Sequence, residues 1–115
     1  MEESIAAYRR AVTLDSSYRG AHLNLGQSYN MTGRLNEAET TYVRLLAVAP
    51  ESYQATKNLG HTLVDQNRWS EALESYRQAS RLKPDDPLIR YSLGVVYSRL
   101  GRWDEGLAEF QPRST

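Results

Sequence analysis

The sequence repeats itself every 34 residues, and few features limit a fold more tightly. Leu25-Gly26 returns as Leu59-Gly60 and again as Leu93-Gly94, each 34 residues on. The same step links Tyr42, Tyr76 and Phe110, and also Glu37-Ala38, Glu71-Ala72 and Glu105-Gly106. Pro50 and Pro84 share a position, as do Leu35, Trp69 and Trp103, and Tyr8 lies one step before Tyr42. So many coincidences at one offset do not arise from composition. A period of this size marks a supersecondary unit that cannot bury its apolar face alone and stacks on copies of itself.

Within each unit the spacing of apolar residues is helical twice over. The first helix carries Ala21, Leu25, Ser28 and Tyr29, then Ala55, Leu59 and Leu63, then Ile89, Leu93, Val96 and Tyr97. It stops at Gly33, Asn67 or Gly101, residues that accept the left-handed conformation closing a helix. The second helix is expected to begin at Asn36, Ser70 or Asp104, all good N-cap side chains, with Asn36 and Glu39 at capping-box spacing. It ends before Pro50 or Pro84, which cannot continue a helix. Asp86-Pro87 opens the next unit with a cap and a proline at the first helical position. Helices are thus expected over about 2–14, 20–31, 36–48, 54–66, 70–82, 88–100 and 104–111, with no strand.

Gly26, Gly60 and Gly94 sit in mid-helix, where glycine costs about 1 kcal/mol against alanine. Close approach of a neighbouring helix explains them. Ala38, Ala72 and Gly106 are the expected small partners, with Tyr42, Tyr76 or Phe110 filling the adjoining gap. Leu25, Leu59 and Leu93 join these in the expected core.

Composition removes several function classes. Lysine plus arginine (14) equals aspartate plus glutamate (14), so the electrostatic footprint of a nucleic-acid binder is missing. There is no cysteine, hence no disulfide framework and no thiolate metal site. No apolar run approaches membrane-spanning length, and no membrane role is expected. Together these favour a cytoplasmic protein. His22 and His61 lie 39 residues apart, without the spacing of a helical metal pair. No phosphate loop or nucleophile elbow is present. No metal, no cofactor and no catalysis are expected.

The runs NLGQSYNMTGRLNEAETTYVRLLAVAP, NLGHTLVDQNRWSEALESYRQASRLKP and SLGVVYSRLGRWDEGLAEF resemble tetratricopeptide repeats. In style they are similar to the superhelical arrays of O-linked N-acetylglucosamine transferase-like and bacterial members. His22, Thr56 and Arg90 replace the family's frequent tryptophan, and Gly106 its alanine. The resemblance implies an all-α fold, an α-solenoid in which antiparallel helix pairs form a right-handed superhelix. In phase with the family, residues 1–18 are the second helix of a preceding unit. Residues 19–52 and 53–86 are complete units, 87–111 is a truncated one and 112–115 is a tail.

The resemblance also implies a function: holding a partner peptide or protein in the concave groove lined by the first helices. The ligand-facing positions there include Asn24, Gln27, Lys57, Asn58, His61, Tyr91, Val95 and Arg99. Asn24 and Asn58 are one unit apart and resemble the asparagine ladder of the glycosyltransferase superhelix, which grips peptide backbone by donating and accepting together. The carboxylate clamp of chaperone-binding members is not matched. Asn58 fits its middle asparagine, but Leu23, Gln27, Leu88 and Ser92 stand where its other polar residues belong. A self-association scaffold, or a regulatory arm of an enzyme whose catalytic domain lies elsewhere, are the alternative roles.

The chain reads as an excerpt of a larger protein. Residues 2–14 have no first-helix partner, and Pro112 interrupts the last helix, so that QPRST reads as a truncation scar. Both end faces are then expected to expose apolar residues, Ile5 and Tyr8 at one end and Val96, Leu100 and Leu107 at the other. A weak homo-oligomer through those ends is the expected consequence.

Overall fold

The computed structural model describes residues 16–110, and every regular element among them is a helix. The helices are α1 (Ser16–Met31), α2 (Leu35–Val48), α3 (Tyr53–Asp65), α4 (Trp69–Leu82), α5 (Pro87–Arg99) and α6 (Trp103–Phe110). No strand occurs among the described residues. Each helix packs on the next along the chain, and α1 also touches α3 directly. The result is an α-solenoid of antiparallel pairs: α1 with α2, α3 with α4, α5 with α6. The expected helix at 2–14 and the tail at 112–115 lie outside the described residues.

The turns between paired helices are built alike. Gly33, Asn67 and Gly101 have φ of 79°, 61° and 75°, the left-handed conformation their sequence positions call for. At each turn the residue itself bonds back three positions, Gly33 N–H to Asn30 O, Asn67 N–H to Val64 O and Gly101 N–H to Ser98 O. The next residue bonds five back, Arg34 to Tyr29, Arg68 to Leu63 and Arg102 to Tyr97, each at 2.8 Å. This pair of bonds is the Schellman motif.

That closure displaces the expected N-caps. Asn36, Ser70 and Asp104 lie inside their helices, which start at Leu35, Trp69 and Trp103. The N-cap positions of α2 and α4 belong to Arg34 and Arg68, neither with a side-chain cap bond. Their carbonyls already accept the first helical bonds, from Ala38 and Ala72, so no separate capping residue fits between the turn and the helix. The arginines do something else. Arg34, Arg68 and Arg102 each pair with the glutamate three residues on, Glu37, Glu71 and Glu105. These glutamates sit in the first helical turn, where the helix dipole favours an anion. The capping box expected of Asn36 and Glu39 is not formed; both side chains accept bonds from Gln66 Nε2 at 3.1 and 3.2 Å, tying α2 to the following unit. Side-chain caps do occur where no Schellman turn precedes the helix. Ser52 Oγ accepts from Ala55 N–H at 3.3 Å, and Asp86 Oδ1 from Leu88 N–H at 2.9 Å.

The core runs along the stack. Tyr53, Leu63, Leu73, Tyr76, Ile89, Leu93, Val96 and Tyr97 form one cluster, with Leu59, Trp69 and Leu100 packed against it. Leu45 and Ala55 join α2 to α3 in a second. Tyr42 and Tyr76 are buried as expected, but Leu25 is 41% exposed. It lies on α1, which has described helices on one side only, whereas its counterpart Leu93 is enclosed between neighbours. The glycines also differ from expectation in what they meet. A Cβ on Gly26 would stand 2.6 Å from Tyr42 Cε1, and one on Gly60 2.6 Å from Tyr76 Cε1. The tyrosine ring itself fills the notch, and the glycine exists to admit it. At the last pair small meets small, since a Cβ on Gly106 would stand 3.1 Å from the Gly94 carbonyl oxygen.

Candidate functional site: the wall of first helices

The first helices α1, α3 and α5 share one side of the stack. Direct contact of α1 with α3 draws that side together. On the opposite side a shallow crevice of about 280 Å³ opens between α2 and α4, lined by Leu46, Pro50, Glu74, Ser75 and Gln78 with Thr56 of α3 at its floor. The outward positions of α1, α3 and α5 form the wall on that side.

The eight candidate groove residues do not behave alike. On α1, Asn24 and Gln27 are exposed. On α3, Lys57, Asn58 and His61 are half-buried, and each is engaged. The Lys57 ammonium lies 5.4 Å from the centre of the Tyr53 ring. The Asn58 side chain hydrogen-bonds the Tyr42 hydroxyl. On α5, Tyr91 is 61% exposed and Val95 half-buried. The Arg99 guanidinium lies over the Trp69 ring at 5.4 Å, where it covers the preceding unit.

Asn58 therefore does not simply face solvent, and it has a counterpart. Ser92, one repeat on, hydrogen-bonds the Tyr76 hydroxyl in the same way. Each tyrosine that fills a glycine notch thus presents its hydroxyl to the next unit's first helix. Burial raises the Tyr42 phenol to about 12 and pushes Tyr76 higher still, so both hydroxyls stay neutral across the physiological range. Phe110 at the third position has no hydroxyl to satisfy. Ser92 stands one repeat after Asn58, and either side chain can serve a buried tyrosine hydroxyl.

His61 belongs to the same network. Its Nδ1 is 2.5 Å from the Tyr76 hydroxyl, with the rings edge to face at 5.4 Å. Burial first, then the nearby Lys57 ammonium, lower its pKa, against a smaller opposing pull from Asp65. The imidazole is therefore held neutral. Two further links across units were not read from the sequence. Asn30 accepts from Thr62 Oγ1 at 2.9 Å and donates to Asp65 at 3.2 Å, joining α1 to α3. Tyr53 donates its hydroxyl to Asp86, and Lys57 and Lys83 both flank its ring. That donated bond, the largest influence on Asp86, holds its carboxyl below the usual range. The arginines at the turns were visible in the 34-residue step, but spacing alone did not say what they pair with.

The end-face candidates divide as well. Val96 is 1% exposed and sits within the core cluster, so it offers nothing to another molecule. The reason is that this side of α5 is turned to Leu73 and Tyr76 of α4, which share the cluster with it. Leu100 is half-buried against the same cluster, while Leu107 is 57% exposed. Ile5 and Tyr8 lie outside the described residues.

Among the described residues there is no group of three or more His, Asp or Glu placed to hold a metal ion. None of the described helices is long and apolar enough to cross a membrane.

Comparison with known families agrees with this architecture. A profile described as TPR repeat matches residues 1–33 and 60–101, and another, described as tetratricopeptide repeat, matches 21–52. The chain belongs to the tetratricopeptide-repeat family. Among solved tetratricopeptide structures, that of MamA is 24% identical with a TM-score of 0.77, covering 95% of this chain and 64% of that one. The second TPR of Spaghetti (RPAP3), bound to the HSP90 peptide SRMEEVD, is 18% identical with a TM-score of 0.76, covering 94% and 93%. The Yersinia enterocolitica chaperone SycD, in complex with a peptide of the translocator YopD, is 14% identical with a TM-score of 0.79, covering 84% and 73%. In sequence, the chain is 35% identical over 51 residues to Protein O-mannosyl-transferase Tmtc3 of Drosophila melanogaster. That stretch is 44% of this chain and 6% of that protein.

Proposed function

We propose that this chain is a non-catalytic interaction module that holds a peptide or protein partner along the wall of α1, α3 and α5. Its units in this reading are 19–52, 53–86 and 87–111. The observation that carries the proposal is the fold itself, shared with tetratricopeptide structures determined with peptides seated on them. The wall supplies suitable chemistry: amides at Asn24 and Gln27, a cation at Lys57, and an apolar patch of Leu88, Tyr91 and Val95. An extended peptide could place its backbone on the amides and a side chain on the patch. Clamp recognition of an EEVD-type tail is not part of the proposal, since Leu23, Gln27, Leu88 and Ser92 stand at the clamp positions.

The test is affinity capture of partners, followed by titration of the captured partner against two variants. Asn24→Ala and Tyr91→Ala change exposed wall residues and should leave the helical circular dichroism intact. Each is expected to weaken binding by about fivefold or more, the order of a lost interface contact. Undiminished affinity in the double variant would place the partner elsewhere.

A second reading is favoured by the similarity to Protein O-mannosyl-transferase Tmtc3. In it, the module is the arm of a larger transferase and presents a protein substrate to it. Co-purification of glycosyltransferase activity with the full-length polypeptide distinguishes this reading from a free-standing adaptor.

A further inference from the structure

The seam between α2 and α3 and the seam between α4 and α5 occupy the same place in successive units, yet they are built from different chemistry. At the second seam the end near the helix turns is apolar. Leu73 and Val96 belong to the large core cluster there, with Val64 and Leu100 packed against it. One repeat earlier the same four positions hold Glu39, Thr62, Asn30 and Gln66. A clasp of hydrogen bonds thus stands where the other seam has a core.

The clasp has two parts. Thr62 Oγ1 donates to Asn30 Oδ1 at 2.9 Å, and Asn30 Nδ2 donates to Asp65 at 3.2 Å. Gln66 Nε2 donates to Asn36 and Glu39, and Arg68 Nη1 donates to Glu39 at 2.7 Å. The Arg68 and Glu39 side chains are 36% and 27% exposed, so water reaches this pair. Exchanging such bonds for bonds to water costs little net, whereas buried aliphatic surface resists exposure in proportion to its area. At the opposite end of the same seam the contact is apolar. Leu45 of α2 meets Ala55 of α3 with Leu46 and Val48 packed against them, beside the short connection at 49–52. This small cluster shares no residue with the large one, which joins α3, α4 and α5.

We propose that the α2–α3 seam is a hinge with a polar clasp. In it, α1 and α2 swing together about the Leu45–Ala55 contact and the connection at 49–52, while the bonds at the far end open and close. The crevice of about 280 Å³ between α2 and α4 leaves α2 room to tilt. The hinge divides the wall of first helices. Asn24 and Gln27 lie on the moving side and Lys57 on the fixed side, so the swing changes the distance between the amides and the cation. The inference rests on no ligand, and a failure of peptide binding would leave it standing.

The chain has no cysteine, so spin labels can be placed in pairs. Thr40, Glu74 and Ala108 are equivalent in the repeat, and all three are exposed. Labels at Thr40→Cys and Glu74→Cys report the first seam, and labels at Glu74→Cys and Ala108→Cys the second. Double electron–electron resonance should give a distance distribution about twofold broader across the first seam than across the second. Glu39→Ala removes the ionic bond and should broaden the first further, as should about 1 M salt, with the second unchanged. Asn30→Val, Glu39→Leu, Thr62→Val and Gln66→Leu together write the second seam into the first and should narrow its distribution to match. Should that fourfold variant not fold, Glu39→Ala and salt decide alone. Equal widths at the two seams, or a first seam indifferent to Glu39→Ala and salt, would overturn the hinge. So would a broad distribution accompanied by loss of helical circular dichroism, because the first unit would then be unfolding rather than swinging.

Discussion

Two glycines in this chain should answer the same substitution with opposite signs. Gly60→Ala replaces a mid-helix glycine of α3, and on propensity alone it should stabilise by about 1 kcal/mol. The structure forbids that gain. The new Cβ would stand 2.6, 2.8 and 3.0 Å from Cε1, Cδ1 and Cζ of Tyr76. Those atoms belong to a rigid ring that is 2% exposed, with its hydroxyl held by His61 and Ser92. It cannot withdraw without breaking those bonds and disturbing the α4 core. Overpacking of this kind costs about 1–3 kcal/mol, and the clash here is severe enough to place the net effect near 2 kcal/mol of destabilisation. Gly20→Ala on α1 is the control. Nothing lies within 4 Å of its added Cβ, so propensity should act unopposed and stabilise by about 0.5–1 kcal/mol. Urea unfolding followed at the helical dichroism band measures both. A neutral or stabilising Gly60→Ala would refute the claim that the tyrosine ring dictates the glycine. Recovery in Gly60→Ala with Tyr76→Leu, which removes the ring, is the expected signature of the clash.

Other perturbations test the remaining links. Tyr76→Ala empties the same notch from the other side and should cost about 3–5 kcal/mol, read as a fall in thermal midpoint. Asn67→Val puts a branched side chain at φ 61° and should cost about 1–2 kcal/mol, whereas Asn67→Gly should not destabilise. His61 has a folded pKa below its ordinary 6.5, so the unfolded chain takes up the proton first. Its contribution is complete above that value and is lost as pH falls from there toward the lowered folded pKa. Stability should therefore drop as pH is lowered through the ordinary histidine value of about 6.5, and His61→Gln should flatten that drop. Asn58→Ala should cost about 1 kcal/mol by orphaning the Tyr42 hydroxyl, while Asn24→Ala, exposed, should be silent in unfolding.

The array was legible because a repeat states every constraint several times. One period supplied the six helices seen among the described residues, the left-handed turns at Gly33, Asn67 and Gly101, and the buried tyrosines. Helix ends were read less well. At Asn36, Ser70 and Asp104 a local capping preference lost to the Schellman turn just before it, which had already consumed the available backbone positions. Leu25 was misplaced for a related reason. A repeat position predicts burial only where a neighbour stands on each side, and α1 has described helices on one side alone. Val96 was misassigned to the end face because its spacing fits two faces of α5, and only the packing of α5 on α4 shows that this one is enclosed.

The wall of first helices was the hardest part to read, and the reason is physical. Repeat position says that a side chain points inward, not whether it is already occupied. Asn58 and Ser92 are bound to tyrosine hydroxyls of the preceding unit, Asn30 bridges Thr62 and Asp65, and Arg99 lies over Trp69. These residues hold successive units in register along the side on which a ligand would rest. A ligand that recruited one of them would have to replace its present bond with a better one, and would alter the angle between units as it did so. One that used the exposed amides of Asn24 and Gln27 would leave those bonds in place. The two cases separate in a single measurement. Binding through the occupied residues should change hydrogen-exchange protection across the α2–α3 and α4–α5 junctions, whereas binding through the exposed set should protect only the first helices themselves.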